Sequence, residues 1–145
     1  MEERRKIKNK EKRQPRDASS AVPRTCLLKI DKDVIVDFKW IQDYLRLILT
    51  VCGWFQLKVN SVKMCSSIRK GLHFYIEVAP AVEANLANRL HWILGDDCRR
   101  VDFNRARIES GLAEWNKLFE RENVRLRTIY PSSRFLQDTR KTTGR

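Results

Sequence analysis

The sequence is poor in the residues that punctuate or cross-link a chain. Five glycines and four prolines in 145 residues rule out a collagenous or low-complexity protein. No pair of cysteines stands at CxxC spacing; Cys26, Cys52, Cys65 and Cys98 are far apart. That spacing argues against a zinc ribbon or finger and favours four thiols in a reducing cytoplasm over a disulfide-bonded secreted domain. No run approaches the roughly 18 apolar residues that span a bilayer, and the N-terminus is charged where a secretory signal would be apolar. A P-loop, a dinucleotide-binding glycine fingerprint and a Ser-His-Asp order are all missing. The expectation is a cytoplasmic protein without a membrane partner.

Basic charge, by contrast, is plentiful. The net charge is +12, and charged residues make up 33% of the chain. Residues 1–24 hold nine Lys and Arg against four acids, and residues 121–145 hold seven against two. Each end therefore carries +5, around a body of only +2. Such ends bind polyanions by releasing counterions and need no shaped site. Nucleic acid is the expected partner. A merely solubilising tail is the plain alternative, and an anionic membrane surface fits less well because no apolar face runs through the basic stretch.

The expected organisation is a disordered basic tail over 1–24, one α+β domain over 25–130 and a flexible basic tail over 131–145. The 42% hydrophobic content suits one core of ordinary size. A short strand at Cys26–Ile30 closes at Asp31-Lys32-Asp33. Phe38, Ile41, Leu45, Ile48 and Cys52 recur at helical spacing behind Asp37 as N-cap, with Gly53 as the stop. The helix is apolar enough to be deeply buried or to mediate a homodimer through residues 38–52. Phe55, Leu57 and Val59 alternate as a strand that changes phase at Asn60-Ser61, as a bulge would produce. Leu72, Phe74, Ile76 and Val78 then face one way, with His73, Tyr75 and Glu77 facing the other. Pro80 opens a second helix ending at Gly95, and Asp96 or Asp97 caps a third, Arg-rich one. A last strand falls within Val124–Ile129. This order fits a split βαβ, ferredoxin-like or RNA-recognition-motif-like antiparallel sheet with helices on one face.

Two short motifs stand out on that frame. Asp31-x-Asp33 follows the first strand, and Ser67-x-Arg69-x-Gly71-x-His73 enters the third. In a split βαβ sheet these strands are neighbours, so the groups can approach one another. Paired carboxylates can hold a divalent ion, while a histidine beside a basic loop can hold a triphosphate. At these residues, within 26–78, the sequence resembles the archaeo-eukaryotic primase family. The resemblance implies metal-binding carboxylates at Asp31 and Asp33, Mg²⁺ or Mn²⁺ as cofactor, a nucleotide-contacting His73, and phosphate contacts from Arg69 or Lys70. A third acidic motif on a following strand is missing. Gly95-Asp96-Asp97 followed by Arg99-Arg100 is similar to a stretch in short phage and archaeal proteins, a likeness that assigns no activity.

The residues also admit a reading without catalysis. Lys58, Arg69, Lys70, His73 and Tyr75 on an open sheet face would stack bases and hold the backbone of a single-stranded DNA or RNA. Arg100 and Arg107, in one stripe with Asn104 on the third helix, would add phosphate contacts. Local ion pairing with Asp96 and Asp102 is the competing explanation of that stripe. His91, alone beside Trp92, reads as a structural histidine. A nucleic-acid-binding module without a cofactor is the favoured expectation, ahead of a primase-like nucleotidyltransferase and of a helix-mediated dimer.

Overall fold

The computed structural model describes residues 24–34, 36–67, 71–118 and 124–132. Its first helix, α1 (Phe38–Trp54), forms where the apolar spacing is helical. The Asp37 side chain accepts the Trp40 amide at 2.8 Å, satisfying one of the donors that a helix start leaves unpaired. Ile41, Tyr44, Leu45, Ile48, Val51 and Cys52 are buried within the chain, while Phe38 and Leu47 stay exposed. Gly53 does not stop the helix. The chain runs on to Trp54, turns at Phe55, and gives the left-handed conformation to Gln56 (φ 57°).

Four strands surround this helix in sequence and pair below it. They are β1 (Cys26–Lys32), β2 (Lys58–Ser66), β3 (Leu72–Ala79) and β4 (Arg127–Tyr130). All pairings are antiparallel, in the order β1-β3-β2-β4. Hence β1 and β2 run parallel with β3 between them. The bulge expected at Asn60-Ser61 lies between Val59 and Ser61. Leu28, Ile30, Val59, Val62, Phe74, Ile76, Val78 and Ile129 build one core with α1, as strict alternation on β3 requires.

The remaining helices are α2 (Ala84–Ile93) and α3 (Cys98–Glu109). Helix α2 begins four residues after Pro80 rather than at it, and Gly95 (φ +75°) follows its end in the conformation glycine favours. Asp97, not Asp96, caps α3 by accepting the Arg100 amide. Ala87, Leu90 and Leu94 join the same core, and the Tyr44 hydroxyl ties α1 to the Leu94 carbonyl at 2.9 Å.

One expectation of the sheet fails. A ferredoxin-like order sets the last strand beside β1, whereas β4 pairs with β2, Val62 opposite Tyr130 and Met64 opposite Arg127. The reason lies at β1, whose outer edge is taken by side chains from α2, α3 and the segment after α3. The basic tails, apart from Arg24, Pro131 and Ser132, lie outside the described residues. No helix among the described residues is long and apolar enough to cross a membrane.

Candidate nucleic-acid interface

The two sequence motifs do meet at one end of the sheet. Asp31 stands opposite His73 in the β1–β3 register, with Oδ1 3.5 Å from the imidazole Nε2. Burial pushes the Asp31 carboxyl above its ordinary range, and the His73 charge opposes that rise. The glycine of the second motif has a packing role. A Cβ on Gly71 would lie 2.5 Å from the Lys32 carbonyl, 3.0 Å from Ser67 Oγ and 3.2 Å from Asp33 Oδ1. Only glycine lets the hairpin, closed by the Ser67 amide on the Gly71 carbonyl at 2.9 Å, approach β1 so closely. Arg69 and Lys70 lie outside the described residues.

Whether this end fits a Mg²⁺ or Mn²⁺ ion depends on how many donors converge. Asp31 and His73 form a pair, and Asp33 turns toward Gly71. Among the described residues no three His, Cys, Asp or Glu side chains come together as a metal-holding group.

The sheet face opposite α1 is less open than the alternation suggested. Tyr75 sits between Lys29 and Lys63 across the strands, but Tyr75 is only 7% exposed and His73 only 4%. Tyr75 lines a hollow of about 410 Å³ with Lys63, Glu77, Ser61 and Leu126, the last from the segment entering β4. Neither ring offers a free face for base stacking. Lys58 is exposed at the start of β2.

Two of the third-helix arginines, Arg100 and Arg107, are engaged by the protein, while Arg99 and Arg105 are exposed. Edge strands leave a row of unpaired amides and carbonyls, and on β1 these belong to Leu27, Lys29 and Asp31. Four of these groups are met by side chains. Asn116 donates to the Leu27 carbonyl (3.1 Å), and His91 Nε2 accepts the Lys29 amide (3.3 Å). Arg100 donates to the Lys29 carbonyl (2.7 Å), and Asp96 accepts the Asp31 amide (2.8 Å). Arg100 also pairs with Asp96 and reaches Asn116 Oδ1 (2.6 Å) and the Lys117 carbonyl (3.0 Å). This seal replaces a neighbouring strand with a row of side chains.

Burial governs the electrostatics of the seal. It lowers His91 to about 3, helped by the nearby Arg100 charge, so the ring is neutral and its Nδ1 faces Asp96 at 3.6 Å. Burial raises Asp96 to about 6, against the pull of Arg100 and two backbone amides. Arg107 is similarly engaged, donating to Asn104 Oδ1 at 3.2 Å. Arg100 is thus engaged in the seal, and the partly buried Arg107 in a contact within its own helix. Asp102 pairs with Arg105 at 3.1 Å on the surface, as the spacing indicated.

The surface that sequence reading passed over lies between α2 and α3. Asn85, Asn88, Arg89 and Trp92 line one wall of a groove of about 590 Å³, and Val101, Arg105 and Glu109 line the other. Trp92 is 63% exposed. The spacing of three to four residues within each set was a signal available in the sequence. Comparison of the chain with protein-family models, with curated proteins and with solved structures found no match.

Proposed function

We propose that the protein binds single-stranded nucleic acid, with its basic ends supplying most of the affinity. The observation that carries this reading is the distribution of charge, +5 at each end of a chain whose body is nearly neutral. The sheet adds support. Cys26 of β1 lies in register with Val78 and Val59, and Tyr130 of β4 lies opposite Val62. The two basic segments therefore join the sheet at the same end, from its opposite edges, where both can reach one polyanion. Counterion release makes such binding strong at low salt and tolerant of sequence.

Anisotropy of a labelled oligonucleotide tests this with the full chain. Changing the Lys and Arg residues of 1–24 and 121–145 to Gln is expected to weaken binding by on the order of tenfold or more, with a single strand preferred to the matching duplex. Equal binding by the neutralised chain, or no binding by the original one, overturns the reading.

The Asp31–His73 pair favours a second reading, a primase-like nucleotidyltransferase using Mg²⁺ or Mn²⁺. Nucleotide incorporation that depends on added metal and is lost in Asp31→Asn would establish it; the absence of incorporation across nucleotides and both metals would remove it.

A further inference from the structure

We infer that the α2–α3 groove is where a single strand is gripped, Trp92 stacking on a base while Arg89 and Arg105 meet the flanking phosphates. This rests on the nucleic-acid reading above and assigns it a site. The groove is built from two matched rows. Asn85, Asn88, Arg89 and Trp92 recur along one side of α2, and Val101, Arg105 and Glu109 recur at four-residue steps along α3. Asn88, buried below the rim, donates to the Val101 carbonyl at 3.0 Å and so ties the helices together at a fixed width.

The chemistry of the rim selects the occupant. An amphipathic helix would need a run of apolar side chains to lie against, but among the described residues Trp92 and the buried Val101 are the only apolar ones lining the groove. Two guanidinium groups line the groove beside one lining carboxylate, Glu109, and the second nearby carboxylate, Asp102, lies in an exposed pair with Arg105. Arg105 pairs with Asp102, the two side chains being 61% and 70% exposed. Such a pair contributes little in water and yields readily to a phosphate. An exposed indole flanked by arginines is a stacking platform of the kind single-strand binders use, and it serves any base because every base has a π face. Tyr75, the sheet aromatic, is buried and cannot play this part.

The test uses the full chain and a labelled oligothymidylate, read by anisotropy, with circular dichroism to confirm folding. Trp92→Ala is expected to weaken binding about 5- to 150-fold, the equivalent of one lost stacking contact, and Trp92→Phe to retain most of the affinity. Arg89→Gln with Arg105→Gln is expected to lower the slope of log K against log salt by about 1.4. Wild-type affinity and slope in folded Trp92→Ala and in the double arginine variant would overturn the site while leaving the nucleic-acid reading intact. No binding by the unaltered chain would overturn that reading first. Equal displacement of the oligonucleotide by polyglutamate, with Trp92→Ala indifferent, would show contact by charge alone and overturn the groove.

Discussion

Replacing Arg100 with Met should unfold the β1 seal and reveal whether this arginine serves the fold or a ligand. Its guanidinium pairs with Asp96 and donates to the Lys29 carbonyl, Asn116 Oδ1 and the Lys117 carbonyl. The Arg100 side chain is 10% exposed and that of Asp96 is 0% exposed. Methionine fills similar length but leaves a buried carboxylate without its counter-charge and a strand carbonyl without its donor. Breaking a buried pair from one side costs about 3–5 kcal/mol. Asp96 keeps two backbone amides, from Asp31 and Asp97, so about 3 kcal/mol is expected, a large share of the 5–15 kcal/mol typical of a domain. Asp96 is already raised to about 6 by burial, and losing Arg100 raises it further. A raised carboxyl is protonated first in the variant, so the charge part of the deficit is complete well above the variant's value, shrinks as pH falls toward about 6 and is spent below it. Urea unfolding followed by circular dichroism measures this, with the neighbouring exposed Arg99→Met as control, expected within about 0.5 kcal/mol of the original. A loss below about 1 kcal/mol, or one matched by the control, would refute the seal. Oligonucleotide affinity per folded molecule should be unchanged, because the donors of Arg100 face the protein.

Two further perturbations follow from the same contacts. Burial holds His91 near 3 against about 6.5 in an unfolded chain, so the stability it contributes is complete above about 6.5 and lost as pH falls toward 3. The cost of His91→Gln, measured by urea unfolding, should therefore be about 3 kcal/mol smaller at pH 4 than at pH 7; a cost independent of pH would show that the ring is not buried neutral. Gly71→Ala should destabilise by more than about 1 kcal/mol, since its Cβ would meet the Lys32 carbonyl at 2.5 Å. Gly53→Ala, with nothing within 4 Å in the last turn of α1, should stabilise by about 0.5–1 kcal/mol. Thermal melts that rank the two alanines the other way would contradict both placements.

Local signals carried much of this fold. The N-cap at Asp37, the alternation of Leu72 to Val78 and the phase change at Asn60-Ser61 each depend on neighbours in sequence, and each lies where the spacing indicated. Gly53 misled because a glycine near a helix end usually marks the stop, yet here Gln56 takes the left-handed turn. The partner of β4 was hidden, since a four-residue strand carries no information about which edge it joins. Alternation placed Tyr75 on the correct face but says nothing of what lies over that face, and it is buried. Arg100 combined both kinds of information. Its pairing with Asp96 is local and was visible, while its bond to the Lys29 carbonyl, 71 residues away, was not. The groove at Trp92 was visible as spacing on each helix separately, and only the packing of α2 on α3 made it a surface.

The most direct measurement of the central claim is the salt dependence of oligonucleotide binding. Log K should fall linearly with log salt for the full chain, with a slope of about −0.7 for each phosphate neutralised on a single strand. Replacing the basic residues of both ends by Gln should flatten that slope by several units and leave a weaker, Trp92-dependent remainder. A slope near zero for the unaltered chain, or one untouched by neutralising the ends, would contradict it.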